Sequence, residues 1–117
     1  MLGLTLKTSA TPTQQLNQLW GTRLQGIRWD AHRAAVRFEL FWTDQGREQF
    51  AALVLMGVRY SRFEFEELVD HDVVEFISIE AEDCALGIRL FGELSNGSFE
   101  FVCTSFRVEQ MEARGEA

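Results

Sequence analysis

Residues 36–58 read VRFELFWTDQGREQFAALVLMGV, and the fold follows from them. Val36, Phe38, Leu40 and Trp42 stand at alternate positions with Arg37 and Glu39 between them, which is the period of a half-buried strand. Asp44-Gln45-Gly46 interrupts the pattern, and Gly46 can take the left-handed position that a three-residue hairpin loop requires. With Thr43 opposite Arg47, Leu40 would face Phe50, Phe38 would face Ala52 and Val36 would face Val54, apolar against apolar along the ladder. The return strand, residues 50–58, is apolar on both faces, as expected of a central strand covered on both sides. Its second cover is expected from an N-terminal helix, a second sheet or a second subunit.

Upstream, Thr11-Pro12 is a helix start, Leu16, Leu19 and Trp20 follow at helical spacing, and Gly21 is a stop. This predicts one short helix over residues 12–20. Downstream, alternation returns at residues 63–67, 73–81, 84–93 and 98–109, with polar clusters between them. Asn96-Gly97 suits a two-residue hairpin with Ser95 opposite Ser98, which sets the like charges Glu93 and Glu100 against each other. The triplets Phe38-Glu39-Leu40, Phe63-Glu64-Phe65 and Phe99-Glu100-Phe101 repeat one inward, outward, inward pattern.

The expected architecture is a single α+β domain, mainly a twisted antiparallel β-sheet of about six or seven strands with one short N-terminal helix. The sheet would curl into a half-barrel or form a two-layer sandwich, with the β-region over residues 24–109 and a frayed tail at 111–117. At 117 residues the chain has room for one ordinary core.

Charge is unevenly placed. Residues 1–62 hold eight basic and four acidic side chains, whereas residues 63–117 hold three and fourteen, within a net charge of −7. A field of one sign attracts a partner of the other. Lys7 is the single lysine and the arginines are scattered at alternate strand positions, which argues against nucleic-acid binding. No stretch approaches a membrane span, and Lys7 interrupts the apolar start, so a cytoplasmic protein without a membrane partner is expected.

Catalytic chemistry finds little footing. Only His32 and His71 are available as imidazole bases, and Cys103 falls on an inward strand position, where a thiol is usually inert. Cys84 and Cys103 are too few for a disulfide framework or a four-cysteine zinc site. Asp70-His71-Asp72 could bind a divalent metal but reads as a polar turn, and no glycine-rich phosphate loop occurs. No catalytic residue, metal or cofactor is therefore assigned. Trp29, Trp42, Tyr60 and Phe106 could line a ligand pocket in a curled sheet, the main alternative to a protein-binding surface. A hydrolase using paired carboxylates comes third.

Trp29-Asp30 leading into an alternating strand, Gly57-Val58-Arg59-Tyr60 closing a central one, Phe63-x-Phe65, and the closing strand from Gly97 to Phe101 together resemble small bacterial β-rich immunity-type proteins. The resemblance implies a non-enzymatic protein that blocks a toxin by burying part of its surface. The expectation is a binding module that docks a basic protein through Glu64, Glu66, Glu67, Asp70, Asp72 and Glu75, with a homodimer as a further form.

Overall fold

The computed structural model describes residues 12–65 and 74–111. A short helix, α1 (Pro12–Asn17), is followed by β1 (Arg23–Asp30), β2 (Ala35–Asp44), β3 (Arg47–Met56) and β4 (Tyr60–Phe65). After residues 66–73 come β5 (Phe76–Cys84), β6 (Gly87–Leu94), β7 (Gly97–Cys103) and β8 (Ser105–Met111). Eight strands form two four-stranded antiparallel sheets: a front sheet ordered β1-β2-β3-β8 and a back sheet ordered β4-β7-β6-β5.

Two long strand pairs run through both layers. β3 pairs with β8 in the front sheet, and the chain beyond β3 becomes β4, which pairs with β7 in the back sheet. The predicted single strand over 98–109 is therefore two strands that change sheets at Thr104. That residue is anchored by its N–H and its hydroxyl, both donating to the Met56 carbonyl at 2.9 Å. At the opposite corner, hydrogen bonds from Gly21, Leu24 and Phe76 stitch the start of β1 to residues 74–76. No described strand pairs with the outer edges of β4 and β8, so the barrel does not close.

The core lies between the layers. Val36, Phe38, Leu40, Trp42, Leu53 and Leu55 face Phe76, Ile79, Leu90, Phe99, Phe101 and Cys103, all buried. Phe38 is the hub, with ring centroids 5.4 Å from Phe101, 5.7 Å from Phe76, 5.8 Å from Phe99 and 6.3 Å from Phe63. The helix ends at Asn17, three residues short of the expected end at residue 20, and its Leu16 together with Leu19 of the turn that follows seals one end of the core. Trp20 is 42% exposed and donates its indole N–H to the Ile79 carbonyl at 3.0 Å.

Three expectations are corrected. The first hairpin has a two-residue turn, Gln45-Gly46, with φ of 52° and 79°; Asp44 pairs with Arg47, not Thr43. Positive φ at both central residues matches the twist of the flanking strands. This one-residue difference places Ala51, Leu53 and Leu55 inward instead of Phe50, Ala52 and Val54.

The second hairpin turns at Ser95-Asn96, with Leu94 opposite Gly97. Ser95 is tied to Glu75 in both directions: its N–H donates to the Glu75 carbonyl at 2.9 Å and its hydroxyl accepts from the Glu75 N–H at 3.0 Å. Those bonds hold Ser95 in the turn. Glu93 then pairs with Ser98 and Glu100 with Phe91, so the two glutamates are not opposed.

Finally, the outer side of β3 is not covered by α1, which packs against β5 and β8. Ala52 is flanked in the ladder by Glu39 and Glu109, and Val54 by Arg37 and Arg107. The aliphatic stems of these long side chains shield Ala52 and Val54, which are 0% and 7% exposed.

Candidate functional site

The outward residues of the back sheet form three rows across its strands. Tyr60, Val102, Arg89 and Glu82 make one; Arg62, Glu100, Phe91 and Glu80 the next; Glu64, Ser98, Glu93 and Ser78 the third. Five carboxylates thus share one sheet face with two guanidinium groups. All five carboxylates come from the acidic part of the chain.

Glu100 is the centre of the face. It accepts from Arg62 at 3.1 Å and from Arg89 at 2.5 Å, so its charge is answered by arginines of the two strands that flank β7. Arg62 also reaches Glu64 at 2.9 Å, Arg89 reaches Glu82 at 3.1 Å, and the Arg89 guanidinium lies 4.1 Å from the Phe91 ring centroid. The Arg89 hydrogen bond, reinforced by Arg62, holds the Glu100 carboxyl below its ordinary range despite partial burial. Glu80 and Glu93 make no ion pair among the described residues.

The sign of the pH effect follows. A depressed carboxyl contributes stability above its unfolded-state value, and that contribution is lost as pH falls through the folded one. The expected result is that Glu100→Gln flattens the fall of thermal stability on acidification below the ordinary glutamate range, read by circular dichroism melts over a pH series.

Of the six residues named from sequence, Glu64 lies on this face, its side chain 65% exposed. Glu75 does not. It sits at the corner between the layers, bridged to Arg23 and bonded to Ser95. Glu66, Glu67, Asp70 and Asp72 lie outside the described residues, as do His71 and residues 112–117 of the expected tail, whereas Met111 ends β8 opposite Phe50 instead of fraying. Glu80, Glu82, Glu93 and Glu100 are not among the partner-binding residues expected from the sequence. Their alternation with Ile79, Ala81, Phe99 and Phe101 was the signal that they share an outward face.

The front sheet has a different outer face. Arg28, Arg37, Val54 and Arg107 form one row across all four of its strands, with Glu39, Ala52 and Glu109 in the row beside it. Glu39 forms ion pairs with Arg28 at 3.4 Å and Arg37 at 3.6 Å; Glu109 accepts from Arg37 at 3.2 Å and also pairs with Arg107. Arg107, and then Arg37, hold the Glu109 carboxyl below its ordinary range. Above this row the β1–β2 turn carries His32 and Arg33, and the whole borders an open depression of about 990 Å³.

The four aromatics considered as a pocket lining do not converge. Trp29 borders the depression, Trp42 is in the core, Phe106 packs against the core, and Tyr60 is on the back sheet's outer face. Cys103 is fully buried, and burial pushes its thiol up to about 11. Among the described residues, no group of three or more His, Cys, Asp and Glu side chains could hold a metal ion, and no helix is long and apolar enough to cross a membrane. No protein-family model, curated protein or solved structure matches the chain.

Proposed function

We propose that the protein is a non-enzymatic binding module that docks a basic protein partner on the outer face of its back sheet, in the manner of an immunity-type protein. One observation carries this reading: Glu64, Glu80, Glu82, Glu93 and Glu100 share a single sheet face. Such a face steers a cationic partner during diffusional approach. Glu80 and Glu93, exposed and without an ion-pair partner among the described residues, are the positions where a partner's lysine or arginine gains most.

The face also carries apolar contact surface. Tyr60 is 46% exposed, and Phe91 and Val102 are half-buried between the charged rows. Aromatic anchors ringed by polar groups are where interface energy concentrates. In this reading the carboxylates set the approach and orientation, and the aromatic strip supplies the short-range contact.

The test is Glu80→Lys with Glu93→Lys, two exposed positions whose reversal leaves the Glu100 ion pairs intact. Proteins retained on immobilised wild type and on the variant are compared at low and high ionic strength. A basic partner held by wild type at low salt and lost from the variant supports the proposal. A retained set that is identical on both columns overturns it.

A further inference from the structure

Among the described residues no strand pairs with the outer edge of β8, which meets β3 in unbroken register and holds no proline, glycine or lysine. Proteins usually guard such an edge with a bulge, a proline or a lysine, because an open row of N–H and C=O groups recruits another strand. The edges at the other ends of the two sheets follow that rule. β1 slips register between Leu24 and Gly26, β5 slips between Phe76 and Ser78, and a bridge from Arg23 to Glu75 ties them together.

The inward side of the β8 edge is apolar and unfinished. Phe106 and Val108 stand opposite the buried Leu55 and Leu53 and pack against the core, yet both are only half-buried because the sheet ends with them. The outward side is charged and self-complementary. Arg107 closes the row that holds Arg28, Arg37 and Val54, and Glu109 closes the row that holds Glu39 and Ala52. An antiparallel copy of β8 paired about Val108 sets Arg107 of each chain opposite Glu109 of the other, so each acidic row runs on into an arginine row. A two-fold axis on Arg107 or on Glu109 would oppose like charges instead, so the charge pattern selects one register. Arg107 and Glu109 already pair within the chain, and the second copy extends that lattice across the axis. β4 offers the other regular edge, but joining copies there sets two acidic faces side by side, each with five carboxylates against two guanidinium groups.

We propose that the protein pairs with a second copy of itself through β8, antiparallel about Val108, joining two four-stranded front sheets into one across a two-fold axis. Val108 meets Val108 on the inner face, and the back-sheet docking faces of both copies stay open. A pair of seven-residue strands is a small interface, so the dimer is weak and reversible. The docking of a basic partner does not depend on it, and either can fail without the other.

Sedimentation velocity over a concentration series, with amide hydrogen exchange at its two ends, tests it. The expected result is a reversible monomer–dimer equilibrium, with exchange slowed at high concentration in β8 and unchanged in β4. Arg107→Glu and Glu109→Arg each place like charges opposite one another and should each weaken dimerisation about ten-fold or more. Their equimolar mixture restores opposite charges at both junctions and should associate more tightly than either variant alone, a rescue that misfolded chains would not show. A monomer at every concentration, a dimer that neither variant weakens, a mixture no tighter than its components, or protection gained in β4 instead of β8 would overturn the proposal.

Discussion

Phe38→Ala is expected to be the most destabilising single substitution, costing about 3–5 kcal/mol in chemical denaturation. Phe38 is 1% exposed and its ring meets those of Phe63, Phe76, Phe99 and Phe101. Three of these partners present edge-on or tilted rings within 6 Å, the separations at which aromatic pairs add to plain area burial. Phe38 comes from the front sheet and these partners from the back, so truncation leaves a void where the layers touch. The surrounding strands are pinned by their ladders and can collapse only partly. Phe41→Ala is the control, since Phe41 lies on the outer side of the same strand against Phe50 and should cost much less. Equal losses from the two would contradict the packing described.

Gly92→Ala should come next, at about 3 kcal/mol, because of a close backbone approach. An ideal Cβ on Gly92 would stand 2.1 Å from the Ser78 carbonyl oxygen and 2.9 Å from the Ile79 Cα. Neither obstacle is the end of a flexible side chain, so the strands must part. They meet where the β5–β6 register slips between Phe76 and Ser78, leaving Ile77 as an extra, outward residue. Hydrogen exchange of Gly92→Ala should show lost protection in β5 and β6 ahead of β2 and β3. Uniform loss across both sheets, or a stability change below about 1 kcal/mol, would count against this geometry.

What the sequence made legible tracks what local physics determines. Alternation alone placed Val36, Phe38, Leu40 and Trp42 inward and identified the Phe-Glu triplets, whose glutamates all form ion pairs with arginines on the outer faces. The mainly antiparallel fold with one short helix was legible in the same way. Register was not. Because β3 is apolar on both sides, either pairing with β2 buries apolar residues, and the choice fell to the turn, where Gln45 takes a positive φ that its composition does not announce.

The late hairpin failed for a long-range reason. Asn96-Gly97 is the better local turn, yet Ser95 is held by Glu75, twenty residues away. The division of 98–109 at Thr104 was equally hidden, since a strand that changes sheets needs no breaker when its partner bends with it. At the site, counting acids along the chain drew attention to 64–75, whereas the shared face is assembled from four strands. Glu64 belongs to both descriptions, and Glu80, Glu82, Glu93 and Glu100 become neighbours only once β4, β5, β6 and β7 are ordered.

The central claim, that an acidic sheet face opposite an arginine-lined one receives a basic partner, is tested most directly by an amide NMR titration with a lysine- and arginine-rich peptide. The account predicts shifts concentrated at Arg62, Glu64, Glu80, Glu82, Glu93 and Glu100, shrinking as salt rises, with the front sheet unmoved. Shifts spread evenly over both sheets, or none at low ionic strength, would contradict it.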